Sequence, residues 1–427
     1  MNQSSHRLLP AATIAVAIVL FGAAVPRSAA AGAPLTLEEA LREAHRANAR
    51  LPVAAMDTLI AGASVEEARG AMGPGLGLDG DVHGGTPSTY ASGDARLQAV
   101  LDLPLYDGGR LRADLHTARA GLDLSGARYR AAAVEVDLEV RTRFAEILGL
   151  DRELELARQG KERLNRYVDV IEARKGSGEP VAADLLKARV RLDAETADLE
   201  DLQGRRDQAR LEFNDLLGRD PADSLELAPL RPPAPPGPGE ANPWERTPDL
   251  RAARLAHRVE LTRIDAVRAE RRPHLDLSAN AGTEPTLGST DPAPLNTGTG
   301  SGAEVTLSFS WPLWDTGAYR GRLRQAKLSA MQAEAETVAV RRSVRLGWNE
   351  ARTDMAHLFR QIETWDHAVP LAEEAYLQAE SSYRGGGASA LDVLDAFDQW
   401  IQAGRSAARA VVAYREAEAR ALRWGAP

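Results

Sequence analysis

The chain contains no cysteine. That absence removes disulfide staples, thiolate metal sites, a cysteine nucleophile and an acylated N-terminal cysteine. Beyond residue 25 no apolar run approaches the roughly 20 residues of a spanning helix, so any later membrane insertion has to use strands. The eight histidines are scattered without ligand spacing, and no phosphate-binding loop, nucleophile elbow or His-Glu metalloprotease motif occurs. Gly75-Leu76-Gly77-Leu78-Asp79-Gly80 has the form G-x-G-x-x-G, but it sits in an alternating strand pattern and opens no helix. No catalytic constellation, cofactor site or metal site is legible, so no enzyme is expected.

The first thirty residues carry no acid, a weakly basic start at His6 and Arg7, an apolar run from Ala11 to Val25, and small residues at 28–31. This reads as a signal peptide over 1–31, with a membrane anchor as the alternative. Removing Arg7 and Arg27 leaves 50 basic residues (52 less two) against 61 acidic ones. Nucleic acid is thereby a poor partner.

What is present is a duplication. Leu103-Pro104-Leu105-Tyr106-Asp107-Gly108-Gly109 is answered by Trp311-Pro312-Leu313-Trp314-Asp315-Thr316-Gly317. The offset from 104 to 312 is 208 residues, and it also relates Gly178 and Asp184-Leu185-Leu186 to Gly386 and Asp392-Val393-Leu394. The expected divisions are a first repeat over 32–230, a proline-rich linker over 231–243 and a second repeat over 244–427.

Each repeat has the same order of patterns. A helical stretch opens it, in the first repeat from Thr36 to about Arg69 as one helix, with Thr36 and Glu39 forming a capping box. Two alternating strands follow. Leu76, Leu78, Gly80 and Val82 oppose Gly77, Asp79, Asp81 and His83; Leu97, Ala99, Leu101 and Leu103 oppose Arg96, Gln98, Val100 and Asp102. The second repeat places Leu275 and Leu277 opposite His274 and Asp276, and Val305, Leu307, Phe309 and Trp311 opposite Thr306, Ser308 and Ser310. The segment Thr283–Gly302 between them, rich in Gly, Pro, Ser and Thr, reads as a mobile loop.

After each Asp-Gly-Gly or Asp-Thr-Gly come long helical stretches, 110–175 and 318–384, interrupted in pattern only by Pro370. A glycine-rich break and a shorter returning helix complete the repeat, over 181–217 and 390–424. The returning helix and the opening helix together match the long helix in length, which suggests that they stack end to end along it.

Two-faced strands in a leader-bearing, cysteine-free chain fit a membrane barrel wall, or else a soluble sheet packed on the helices. Four strands cannot close a barrel, since about eight is the single-chain minimum, and alanine-rich helices bury little alone. Both features point to an oligomer.

These elements resemble the TolC-like outer-membrane efflux factors. The resemblance rests on Thr36-Leu37-Glu38-Glu39-Ala40-Leu41, on Pro-x-Leu-x-Leu at Pro74 and Pro273, on the two Pro-Leu-aromatic-Asp-x-Gly motifs, and on the tips with Asp184 and Asp392. It covers nearly all of the chain after the leader. Departures are the low aromatic content, the glycine-rich first loop and Thr316 where a glycine is usual.

The fold class implied is mainly α with a transmembrane β part: a homotrimer forming a twelve-stranded β-barrel on an α-helical barrel. The implied function is that of an outer-membrane exit duct extending into the periplasm. Its implied partners are a periplasmic membrane-fusion adaptor, an inner-membrane pump or exporter, and outer-membrane lipid. In that picture Leu97, Leu101, Val305, Leu307 and Phe309 face lipid, with Tyr106, Trp311 and Trp314 at the interface. Asp79, Asp81, Asp102 and Asp276 face the lumen, buried polar packing being the other reading. Pro104, Gly108, Gly109, Pro312 and Gly317 turn strand into helix. Gly178, Val181, Asp184, Leu185, Gly386, Ser389, Asp392 and Val393 form adaptor-docking tips, or simple turns. A soluble periplasmic helical scaffold is the alternative function.

Overall fold

The computed structural model describes residues 34–85, 92–176, 181–237, 242–287 and 299–425. The expected leader and Gly178 lie outside them.

Two helices of 67 residues dominate, α3 (Arg110–Gly176) and α6 (Ala318–Arg384), each about 100 Å long at 1.5 Å per residue. In the first repeat α1 (Leu37–Ala47) and α2 (Arg50–Gly70) precede strands β1 (Gly75–Gly85) and β2 (Ser92–Tyr106), and α4 (Ala182–Leu216) returns from the tip. The second repeat runs through a 3-10 turn (Pro243–Arg246), α5 (Pro248–Ala269), β3 (His274–Leu287), β4 (Thr299–Ser310), α6 and α7 (Ala390–Gly425). On the strand side the helices stand in the order α2, α3, α5, α6; on the tip side the order is α4, α3, α7, α6. The result is a curtain one helix thick, with α2 and α4 at one lateral edge and α6 at the other.

The capping box at Thr36 is present, with Glu39 N donating to Thr36 Oγ1 and Glu39 accepting from Thr36 N. The single opening helix is not. It breaks at Asn48, whose backbone is extended (ψ 127°) and whose side chain is spent on the junction. Asn48 Nδ2 donates to Leu216 O (3.1 Å) and Oδ1 accepts from Arg50 N (2.9 Å). This bond joins the end of α4 to the start of α2, so the end-to-end stacking along α3 is made by α2 and α4, with α1 set off beside them. Pro52, in the first turn of α2, is the sequence signal for that boundary, because proline is tolerated in a helix only where its N–H is not needed.

Buried apolar side chains gather chiefly in two places, with a smaller third group around Ile362, Ala410 and Tyr414. Near the junction Val136, Val140, Phe144 and Ile147 pack with Phe213, Leu216, Ala40 and Ala44. Near the tips Tyr167, Tyr376, Tyr383, Phe397 and Trp400 interlock. Between these clusters α3 and α7 approach closely at glycines: a Cβ on Gly149 would lie 2.2 Å from Val412 Cγ2, and one on Gly404 would lie 2.5 Å from Leu156 Cδ2. Residues 231–237 run extended across the curtain, held by Tyr414 Oη donating to Ala234 O (2.5 Å) and by Arg415 donating to Arg231 O.

The four strands form one antiparallel sheet in the order β1-β2-β3-β4. Pairing between β3 and β4 continues to Pro285 and Thr299, so the segment Thr283–Gly302 is strand at both ends rather than all loop. Gly282 is required there, since a Cβ would meet Leu97 O at 2.4 Å and Gln98 Cβ at 2.6 Å.

Candidate functional site

The register decides which side chains share a face. Leu76 pairs with Leu101, Leu78 with Ala99, Leu101 with Ala279, Leu103 with Leu277, Leu277 with Leu307 and Leu275 with Phe309. All four apolar sets therefore fall on one side. Leu76, Leu78, Leu97, Leu101, Val305, Leu307 and Phe309 lie exposed there, from 39% at Leu101 to 80% at Leu76. An exposed apolar face of this extent marks a surface that meets lipid or a partner.

The opposite face is polar. Asp79 pairs with Gln98, Asp81 with Arg96, Asp102 with Ser278, Ser278 with Thr306, Asp276 with Ser308 and Asn280 with Glu304. The register thus brings all four expected aspartates to one side of one sheet, and Asp79, Asp102 and Asp276 are exposed in the chain. Arg96, the cross-strand partner of Asp81, and Glu304 also lie on this face and received no role from the sequence. Both were legible from strand parity.

Pro104 is not in the turn. It lies inside β2, paired with Asp276, and the register slips between Pro104 and Tyr106. Proline has no N–H to give the ladder, so the strand bulges there. The slip pairs Tyr106 with Leu275 and so moves Tyr106 onto the apolar side. Trp311, Leu313 and Trp314 follow β4 with exposed side chains, Trp314 at 81%.

The turns proper are built by two aspartates that the sequence reading left without a role. Asp107 accepts from Gly109 N (3.0 Å) and Leu111 N; Asp315 accepts from Gly317 N (3.0 Å) and Tyr319 N (2.7 Å). Each carboxylate satisfies the free N–H groups at the head of a long helix. The N–H groups of Tyr319 and Gly317 hold the Asp315 carboxyl below the usual range. Gly108, Gly109 and Gly317 have φ of 68°, 88° and 107°. Gly108 is also pressed on Arg272, whose Nη1 donates to Gly108 O (2.7 Å). Thr316, the counterpart of Gly108, is not among the residues of positive φ, so a side chain is tolerated there. Pro312 lies between β4 and α6.

At the tips Val181, Leu185 and Val393 are buried among Tyr167, Ile171 and Tyr383. Within the chain these three hold the tips together rather than present a surface. Ser389 and Asp392 form a capping box: Asp392 N donates to Ser389 Oγ, and Ser389 N donates to Asp392 Oδ2 (2.8 Å), which holds the Asp392 carboxyl low. Gly386 turns the backbone at φ 78°, and Asp184 is half-buried. The exposed apolar side chains here are Leu186, Val190 and Leu391, which the sequence reading missed although Leu186 and Val190 share a helix face four residues apart. Burial pushes the Tyr376 hydroxyl up to about 12 and the Tyr167 hydroxyl further, so the tip core stays uncharged.

One ionic cluster ties the two repeats together behind the tips. Glu195 of α4 is fully buried; it accepts from Arg405 of α7 (2.9 Å) and pairs with Arg191 (3.3 Å), while Arg405 also reaches Asp198 (2.9 Å). Burial pushes the Glu195 carboxyl up, and Arg405 and Arg191 oppose that shift. From the other side of the pair, Arg405 is raised by Asp198 and Glu195 against its own desolvation. The direction at Glu195 follows its complete enclosure.

Among the described residues no group of His, Asp and Glu is placed to hold a metal ion, and no helix is long and apolar enough to cross a membrane.

The family model described as "Outer membrane efflux protein" matches residues 40–219 and, a second time, 244–423. The chain is similar to the pyoverdine export outer membrane protein OpmQ of Pseudomonas putida, at 25% identity over 75% of this chain and 67% of that protein. It is also similar to the outer membrane protein TolC of Escherichia coli, at 24% identity over 84% and 76% of the two chains. Its fold is that of the outer-membrane channel OprN, with a TM-score of 0.81 at 22% identity over 92% and 90%. The chain belongs to the outer membrane efflux protein family and is a TolC-like outer-membrane channel rather than an enzyme.

Proposed function

We propose that three copies of this chain close into a twelve-stranded β-barrel continuous with a twelve-helix tunnel. The tunnel passively carries substrates received from an inner-membrane pump or exporter through a periplasmic adaptor. The supporting observation is that the chain is unfinished at both lateral edges. Strands β1 and β4 each have one neighbour. Val53, Met56, Leu59 and Ile60 of α2 and Leu328, Met331 and Leu346 of α6 stand exposed on the helical edges.

The duplication gives the register of closure. Within the chain α3 packs on α5, the opening helix of the following repeat, with Thr117 Oγ1 donating to Thr262 Oγ1 (3.0 Å). The corresponding neighbour of α6 is α2 of the partner subunit. Carrying Thr117 forward by 208 residues gives Gln325. Carrying Thr262 back by 199, the offset from Pro74 to Pro273, gives Ala63. An antiparallel pair through those residues sets Leu328 against Ile60 and brings Met331 beside Met56. The exposed apolar residues of the two edges thus meet.

In this assembly the apolar sheet face meets lipid, Tyr106, Trp311 and Trp314 mark the interface, and Asp79, Asp81, Asp102 and Asp276 line the lumen. Glu304 joins these four acids on the polar face against Arg96, an excess of acid among the described side chains that favours cations. The tips around Asp184, Gly386, Ser389 and Asp392 meet the adaptor, with Leu186, Val190 and Leu391 as the apolar contacts.

Because the chain has no native cysteine, the test is direct. An Ile60→Cys, Leu328→Cys double variant oxidised in outer-membrane vesicles should yield a covalent trimer that reductant dissolves, and each single variant should not. Planar bilayers should record discrete cation-preferring channels. A water-soluble monomer without cross-linked trimer would sink the reading in favour of a periplasmic scaffold.

A further inference from the structure

The duplication preserves a second pattern that channel formation does not use. Six residues after Tyr106 comes Arg112, and six after Trp314 comes Arg320; seven further on stand Arg119 and Lys327. Each pair is related by the same 208-residue offset as the aromatic pair. All four cations are exposed, and among the described residues none makes a hydrogen bond, ion pair or aromatic contact.

Seven residues is close to two helical turns, so Arg112 with Arg119, and Arg320 with Lys327, each lie on one helix face within about 15 Å of the helix start. The side of the curtain is fixed by Arg341, three such steps beyond Arg320. Arg341 holds Glu245 of the 3-10 turn, and Arg352 donates to Gly237 O (3.4 Å) at the end of the extended segment 231–237, the strap. Arg320 and Lys327 therefore lie on the strap side of α6, and Arg112 and Arg119 take the equivalent places on α3, within a few turns of the exposed Tyr106 and Trp314.

We propose that each repeat carries a headgroup site for anionic glycerophospholipid of the periplasmic leaflet, with Arg112 and Arg119, or Arg320 and Lys327, taking the phosphate below Tyr106 or Trp314. This rests on the barrel reading above. Aromatics hold the acyl–headgroup boundary and arginines just outside it pair with phosphate in bidentate fashion. A mature chain with 50 basic (52 less two) against 61 acidic residues has no general attraction for an anionic surface, so a repeated pair of unpartnered cations at this depth is a local feature. An end of the barrel that opens on the periplasm selects phospholipid over the lipopolysaccharide of the other leaflet.

The test uses the full mature assembly reconstituted in nanodiscs of phosphatidylcholine with 20 mole per cent phosphatidylglycerol, by extracting it into mild detergent and measuring retained lipid by native mass spectrometry. Wild type should retain phosphatidylglycerol in preference to phosphatidylcholine, and 0.5 M salt should weaken that preference. Replacing Arg112, Arg119, Arg320 and Lys327 by Gln should lower retained phosphatidylglycerol by about tenfold or more, since each interfacial cation contributes roughly a factor of five. The same change at Arg166, Lys175, Lys187 and Arg360, far from the strands, should leave it unaltered. An inserted, conducting quadruple variant with undiminished preference overturns the headgroup site and leaves the channel standing. Wild type that never enters the nanodisc overturns both.

Discussion

Gly149 and Gly126 lie on the same face-packed helix α3, and the same substitution should move stability in opposite directions at the two positions. A Cβ on Gly126 meets nothing within 4 Å, whereas a Cβ on Gly149 would sit 2.2 Å from Val412 Cγ2 and 3.6 Å from Val412 Cβ. Relative to glycine, alanine stabilises a helix interior by about 0.5–1 kcal/mol, and Gly126→Ala should gain that amount. At Gly149 the same gain is set against overpacking. Val412 is β-branched and holds one preferred rotamer in a helix, so the contact is relieved only by an off-rotamer side chain or by moving α7, at about 1–3 kcal/mol. Gly149→Ala should therefore lose about 1–2 kcal/mol net. Val412→Ala placed in the Gly149→Ala background should recover most of the loss, with a coupling energy above about 1 kcal/mol. The assay is unfolding followed by far-ultraviolet circular dichroism on the detergent-solubilised assembly, at matched scan rate because large assemblies melt irreversibly. Gly149→Ala as stable as Gly126→Ala, or no coupling to Val412, would refute the close approach of α3 and α7.

Converting Asp79, Asp81, Asp102 and Asp276 together to Asn should reduce cation preference, read as a smaller reversal potential across a salt gradient; an unchanged potential removes these residues from the lumen. Asn48→Ala should destabilise by about 1–3 kcal/mol, because Leu216 O and Arg50 N lose their partners at a buried junction; a silent change means that α2 and α4 do not depend on that joint. Glu195 has a raised folded pKa, so the folded state binds its proton more tightly than the unfolded chain does. Wild-type stability from this group is greatest below the unfolded value near 4.3 and is lost as pH rises through the folded one. Glu195→Gln should accordingly gain on wild type between pH 4 and pH 7 in parallel thermal melts, and a gap that widens in wild type's favour contradicts the direction.

Much of this architecture was legible one residue at a time. Strand parity identified both faces of the sheet, because alternation is a property of the local backbone, and the long alanine-rich stretches identified α3 and α6 for the same reason. The capping boxes at Thr36 and Ser389 are likewise local, although only the first was recognised as one. Where the reading failed, the deciding atoms were distant in sequence. Asn48 breaks the opening helix because Leu216, 168 residues away, accepts its hydrogen bond. Tyr106 reaches the apolar face because Pro104 opposes Asp276. Val181, Leu185 and Val393 look like available tip residues until Tyr167 and Tyr383 cover them.

By itself the sequence determined that there are two equivalent repeats, each of helix, two-faced hairpin and long helical return, since periodicity and an internal offset need no knowledge of neighbours. Only the tertiary structure decided that the four apolar strand faces coincide, that the repeats are locked through Glu195 and Arg405, and that the curtain ends in two unpartnered edges. Those outcomes depend on register and on contacts between segments hundreds of residues apart, and no local pattern encodes them.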